Sequence, residues 1–172
     1  MINYIANLGR NSSAWVWLLL STFLLEVTAL YFQYGMELRP CIMCIYQRTA
    51  VFGIMFAAIL PLLTNNIITR LLAYVIWGVS AVWGLVIAVE HVEIQGAKNS
   101  FFATCEIVPN FPSWAPLHEW LPNIFAATGD CGDINWSFLS LSMPQWMAVI
   151  FAIYSATLSL VLLCKIFNKK AR

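Results

Sequence analysis

Four long apolar runs, parted by short polar breaks, dominate the pattern along this chain. Ala14 to Phe32 is interrupted by one carboxylate, Glu26. Ile45 to Leu63 carries Gln47 and Arg48 near its start and Pro61 near its end, whereas Leu71 to Val89 and Trp146 to Cys164 contain no charge. Each run approaches the ~20 residues a helix needs to cross a hydrocarbon core. The pattern predicts an all-α integral membrane protein: a four-helix transmembrane bundle forming a single membrane domain over 1–172. The expected spans are about 14–32, 45–63, 71–89 and 146–164, with outer loops 33–44 and 90–145. The first run exceeds the h-region of a signal peptide, and Arg10 is its only basic forerunner, so it reads as a retained helix.

Composition agrees. The chain is 61% hydrophobic and 10% charged, against about 45–50% and about 25% in soluble domains. Arg10, Arg70, Lys165, Lys169, Lys170 and Arg172 all fall on the side shared by the termini. The opposite side carries Glu37, Glu90, Glu93, Glu106, Glu119, Asp130 and Asp133 against Arg39, Lys98 and Arg48. An excess of Lys and Arg marks the cytoplasmic face. The termini are therefore expected in the cytoplasm.

That orientation sorts the cysteines. Cys41, Cys44, Cys105 and Cys131 fall on the outer, oxidising side, where disulfides persist; Cys164 sits at the cytoplasmic end of the fourth span as a small hydrophobe. Cys41 and Cys44 form a Cys-x-x-Cys pair at the entry to the second span, a motif with acidic thiols. A helix starting near Cys41 puts Cys44 in its first turn, where unpaired backbone N–H groups favour a thiolate. Arg48 lies four residues on, on the same face. An arginine inside an apolar segment asks for a reason: stabilising that thiolate is one, and snorkelling to the interface is another. Zinc fits less well, because a closed site takes four ligands and the others would have to come from distant loops.

The long outer loop is rich in aromatics and prolines, and Trp114–Trp120 reads as a short amphipathic helix or turn at the membrane surface. A Cys105–Cys131 disulfide would close a loop of about 27 residues, worth about 3.5 kcal/mol on the chain-entropy model. That is reason enough for a structural staple. Yet Gly129-Asp130-Cys131-Gly132-Asp133 describes an exposed segment, and exposed disulfides are open to thiolate attack. Two dithiol pairs, one at the membrane edge and one in the loop, suggest a relay.

These features together resemble the bacterial disulfide bond formation protein B (DsbB) family. The resemblance covers most of the chain. It includes Glu26-Val-Thr-Ala-Leu, the Cys41-to-Arg48 segment, Glu90-His91, Ser100-Phe-Phe-Ala-Thr-Cys105, Ala127-Thr-Gly-Asp-Cys131 and Met143-Pro-Gln-Trp146. It implies a bacterial inner-membrane enzyme, a protein-disulfide:quinone oxidoreductase, that reoxidises a periplasmic DsbA-like thioredoxin-fold oxidase. Its two electrons go to ubiquinone or menaquinone. Cys105 would form the mixed disulfide with the partner. Cys44, beside Arg48, would be the thiolate that meets the quinone, and Cys41 would re-form the Cys41–Cys44 disulfide.

The resemblance also favours His91 as a hydrogen-bonding or protonating group for a quinone oxygen, with Glu90 alongside. Glu26 is an intramembrane carboxylate, read either as an ion-pair partner of Arg48 or as a protonated group bonding between helices. Several family members carry Glu immediately before the arginine, where this chain has Gln47. Loss of that negative neighbour favours the Cys44 thiolate. Two alternatives remain. A quinone enzyme resembling vitamin K epoxide reductase would place its Cys-x-x-Cys after the loop cysteines. A structural, tetraspanin-like four-span protein would use the outer disulfide only to brace a partner-binding loop.

Overall fold

The computed structural model describes residues 11–96 and 109–170. Four helices are long and apolar enough to cross a membrane: α1 (Ser12–Tyr34), α2 (Ile42–Leu63), α3 (Ile67–Gly96) and, after the outer loop, α6 (Met143–Lys170). Between α3 and α6 lie two single-turn helices, α4 (Leu117–Trp120) and α5 (Pro122–Phe125). An antiparallel hairpin of β1 (Ser137–Phe138) and β2 (Leu141–Ser142) follows. The chain is a four-helix, multi-pass membrane protein. Packing runs α1 on α2, α2 on α3 and α3 on α6.

Small residues bring the helices together, as in membranes generally, where packing rather than water drives association. Ala50, Ala57, Ala58, Ala73, Ala81 and Ala88 are buried in the core. A Cβ at Gly84 would collide with the fully buried Phe151 ring, so that α3–α6 crossing requires glycine. On α1 the buried positions are Trp15, Leu18, Thr22 and Glu26. Their spacing of three and four makes one stripe along the helix. Glu26 is the last residue of that stripe and therefore faces inward, while Trp17, Phe23, Leu24 and Val27 remain exposed, on the outer faces.

All four long helices extend beyond the apolar runs that predict them, α3 and α6 the furthest. α3 continues from Val89 to Gly96 because Glu90, Glu93 and Gln95 sustain helix in water while His91 is buried and Ile94 packs on the cysteine cluster. Its 30 residues give roughly 45 Å of rise, well past a ~30 Å core. α6 begins at Met143, ahead of Trp146, because the Gln145 side chain accepts from the Ser142 N–H at 2.7 Å, half of a capping box. At the other end of the bundle, Asn66 and Thr69 cap α3 reciprocally (Thr69 N–H to Asn66 Oδ1, 2.9 Å).

Arg70 and Lys165 sit at that opposite end, Lys165 donating to the Tyr74 hydroxyl and lying 4.0 Å from its ring centre. Segment 114–120 forms a turn and then α4, as the sequence suggests.

Candidate active site

The outer loop is tied down over one end of the bundle by backbone contacts. The Pro40 carbonyl accepts from Thr128 N–H (2.9 Å) and Gly129 N–H (3.0 Å). A side chain at Gly129 would strike the Arg39 carbonyl, so glycine permits this approach. Asn110 N–H donates to the Tyr46 hydroxyl (2.8 Å), and Gln95 donates to the Asp133 carbonyl (3.3 Å). The loop thus delivers Cys131 onto the helix bearing the Cys-x-x-Cys. Cys131 is disulfide-bonded, and it packs with Cys41 and Ile42 in one buried cluster that Cys44 borders. Cys105 lies outside the described residues.

Cys41 is the N-cap of α2, its sulfur accepting from Cys44 N–H at 3.3 Å. A thiol stands where Ser or Asp commonly caps. Both are free thiols, with their sulfurs 2.9 Å apart. The hydrogen bond to Cys44, reinforced by burial, pushes the Cys41 thiol above its ordinary range.

Arg48 is buried one turn below Cys44. Its guanidinium donates to Gln33 Oε1 (2.9 Å) and to the Ile124 carbonyl, and its Nε is 3.8 Å from Glu26 Oε2. Of the two roles open to Glu26 in the sequence, the geometry shows the contact with Arg48. That carboxyl oxygen has no hydrogen-bond partner among the described residues.

His91 reaches the same place from α3. Its Nδ1 is 3.3 Å from Gln47 Nε2; its Nε2 is 3.2 Å from the Cys131 carbonyl and 3.5 Å from Cys41 Sγ. The ring bridges three elements, with both nitrogens turned to protein groups. Gln47, buried, thereby orients His91. Glu90 is exposed and does not line the cavity beside the cysteines. One residue of evident importance escapes sequence reasoning. Gln33 bridges Arg48 and the Asn123 carbonyl (2.9 Å), and its only signal in the sequence is a polar side chain just past the first apolar run.

Cys41, Cys44, Gln47, Arg48, His91, Glu26 and Gln33 all line a cavity of about 300 Å³ between α1 and α6, walled by Leu25, Phe32, Trp136, Trp146 and Met147. A mostly apolar pocket with a few convergent polar groups is the usual form of a small-molecule site.

The family profile described as "Disulfide bond formation protein DsbB" matches residues 11–161. The chain belongs to the DsbB family. It is 59% identical over 170 residues to a disulfide bond formation protein B of Pseudoalteromonas atlantica, covering 99% of each chain. Similar proteins of the same name occur in Pseudoalteromonas translucida (51% identical, 99% of each chain) and Photorhabdus laumondii (44%, covering 99% of this chain and all of the relative). DsbB family membership agrees with the Cys-x-x-Cys at a helix start and with four membrane-crossing helices.

Proposed function

We propose that this protein is a disulfide-generating oxidoreductase of the bacterial inner membrane. It reoxidises a periplasmic DsbA-like thiol oxidase and passes the electrons to a membrane quinone. The observation that carries this is a dithiol at the start of α2 that packs against a disulfide-bonded loop cysteine and, with a buried arginine, lines one cavity. Bacterial periplasms are kept oxidising by a DsbA–DsbB–quinone chain, and family membership brings this protein into that scheme. The termini lie in the cytoplasm and the cysteine end faces the periplasm. Arg70 and Lys165, at the opposite end, support that orientation under the positive-inside rule. The whole of 1–172 works as one membrane domain.

The relay runs by thiol–disulfide exchange. The partner's thiolate attacks the Cys105–Cys131 disulfide at Cys105, and Cys131 leaves as a thiolate. Cys131, packed against Cys41, attacks Cys41 in its disulfide with Cys44. The Cys41–Cys131 bond forms, and Cys44 is expelled as a thiolate at the mouth of the cavity. Two electrons thereby arrive at Cys44. The partner's second thiol then completes the partner's own disulfide and expels Cys105 as a thiolate, which attacks Cys131 of the Cys41–Cys131 bond, restoring Cys105–Cys131 and releasing Cys41 as the second thiol of the reduced Cys41–Cys44 pair.

The cavity's apolar walls, its polar end and a Glu26 oxygen without a hydrogen-bond partner among the described residues suit a quinone ring. Cys44, Arg48, Gln47 and His91 would hold it, Glu90 standing outside. A bound quinone supplies a two-electron, two-proton sink. Arg48, fixed by Gln33 and the Ile124 carbonyl, provides a cation set in place before negative charge develops. His91 keeps the Cys131 backbone against Cys41.

The test adds a reduced DsbA-like protein and a soluble quinone to the purified chain and follows quinone absorbance. Catalytic loss of quinone, one per disulfide made in the partner, is expected. A folded protein that leaves the quinone untouched would point instead to a structural role for the outer loop.

A further inference from the structure

The fold brings a third soft-metal ligand to the Cys-x-x-Cys. Cys41 Sγ, Cys44 Sγ and a ring nitrogen of His91 all lie within 4.8 Å of one another. Taken alone, the sequence leaves the two thiols without further ligands nearby; α3, running past the membrane surface, supplies His91 from fifty residues away. We propose that the dithiol form of this site binds one thiophilic d¹⁰ cation, zinc or cuprous copper, through Cys41, Cys44 and His91, with the fourth position open to the cavity.

Two thiolates and one imidazole around an open position form a known zinc arrangement, and thiolates select zinc and cuprous ions among available metals. The sulfurs must part from 2.9 Å to about 3.7 Å to sit on a tetrahedral ion with ~2.3 Å bonds. Cys41 precedes the first turn of α2, where the backbone is extended, so its side chain can swing without unwinding the helix. On binding, the two thiols give up their protons. Two thiolates and a divalent ion make a neutral core, which suits a buried site better than a net charge.

His91 must exchange its contact with the Cys131 carbonyl for the metal at Nε2, leaving its proton on Nδ1. Gln47, 3.3 Å from Nδ1, can serve both states. Its amide donates to Nδ1 in one orientation and, turned over, accepts from it in the other. A side chain that orients a metal-bound histidine in this way typically contributes 10–100-fold in affinity. A glutamine at position 47 thus has a use that an apolar residue could not supply.

The inference rests on the redox reading in one respect: a metal here would hold the pair as dithiolate and keep it from returning its electrons. Binding itself needs neither quinone nor partner, so it is measured without them, and its failure would leave the electron relay untouched. The full chain carrying Cys105→Ser, Cys131→Ser and Cys164→Ser is reduced, freed of reductant and titrated with cadmium, following thiolate-to-metal ultraviolet absorbance. One equivalent should bind, and zinc should displace it. His91→Gln should weaken binding by about 10-fold or more, and Gln47→Leu by about 10-fold. In the unsubstituted, fully reduced chain, His91→Gln should weaken one bound equivalent and no other. X-ray absorption of the zinc form should show two sulfurs near 2.3 Å and an imidazole nitrogen near 2.0–2.1 Å, roughly. Cadmium affinity indifferent to His91, or zinc without an imidazole ligand, would overturn the proposal.

Discussion

Two cavities share the seam between α1 and α6, and Leu25 and Ile150 line both. The one at the cysteine end encloses about 300 Å³ and gathers Glu26, Gln33, Arg48, His91 and two thiols. The one toward the opposite end encloses about 700 Å³ and is lined by Trp15, Tyr74, Trp77, Ser21, Tyr154 and aliphatic side chains. The larger is the blander. In a membrane, an apolar hollow is filled by lipid chains at little cost, so volume alone says nothing about function. Buried charge in the same setting persists only where something requires it. The polar end should therefore carry the chemistry and the apolar end only packing.

The largest effect that can break this contrast comes from the thiols. Cys44→Ser should bring quinone reduction below detection, since among the described residues no other thiol lines the cavity once Cys41 is joined to Cys131. Cys164→Ser, buried at the other end of α6, should leave turnover within about twofold, as expected of substitutions that touch no reacting group. A dead Cys164→Ser variant would erase the distinction between the two ends.

Arg48→Gln comes next. Removing a charge that stabilises developing negative charge costs on the order of 10²–10³ in rate. Lys165→Gln, which removes a cation from the Tyr74 end, should change neither kcat nor KM. Steady-state kinetics on both variants checks the pair, and equal losses would make Arg48 a structural cation only.

Glu26→Gln tests the ion pair at 3.8 Å through stability. Breaking a buried pair from one side costs on the order of 3 kcal/mol because the remaining charge stays desolvated. Gln33 and the Ile124 carbonyl still hold Arg48, which keeps the variant foldable. Thermal unfolding in detergent reads the loss, and unchanged stability with unchanged activity would discard the pair.

Much of this contrast is written in the sequence, because lipid makes the code simple. A charge-free apolar run is a span, and the positions of Glu26 and Arg48 within such runs announce the polar end. Cys44 in the first helical turn with Arg48 one turn on follows from helix periodicity alone. What stays hidden depends on how loops fold back. Nothing local says that Pro40 receives Thr128 and Gly129, that Cys131 lands on Cys41, or that Gln33 pairs with Arg48 across two helices. The extension of α3 to Gly96 is equally invisible to an apolar-run criterion, since its last turns are polar. That extension is what brings His91 to Cys41 and Gln47, whereas adjacent Glu90 faces outward on the same helix.

The pH dependence of stability sharpens the picture at the polar end. Cys41 is held above its ordinary range, so below about pH 8.5 its thiol is protonated in folded and unfolded chains alike and its contribution is intact. Above that, the unfolded chain releases the proton while the folded one keeps it. Stability of the reduced protein should then fall with pH, at up to about 1.4 kcal/mol per unit. The oxidised protein, having no Cys41 thiol, should lack this slope, as should Cys41→Ser. Unfolding of the three forms between pH 8 and 10 decides the matter, and parallel curves would show that the proton is not held at Cys41.

The smallest expected effect belongs to the apolar end. Tyr154 donates to Ser21 Oγ at 2.9 Å, joining α6 to α1 beside the larger cavity. Tyr154→Phe deletes that hydrogen bond while keeping the ring, and should cost about 1 kcal/mol, the usual net worth of a neutral pair. Quinone turnover should be unchanged, because the substitution moves no charge and touches no sulfur. Thermal unfolding and the quinone assay, run on the same preparation, separate the two outcomes. A loss of turnover at unaltered stability would mean that α1 and α6 must stay registered at this end for the cysteine end to work. The two halves of the seam would then be one functional unit rather than a reactive pocket above an inert one.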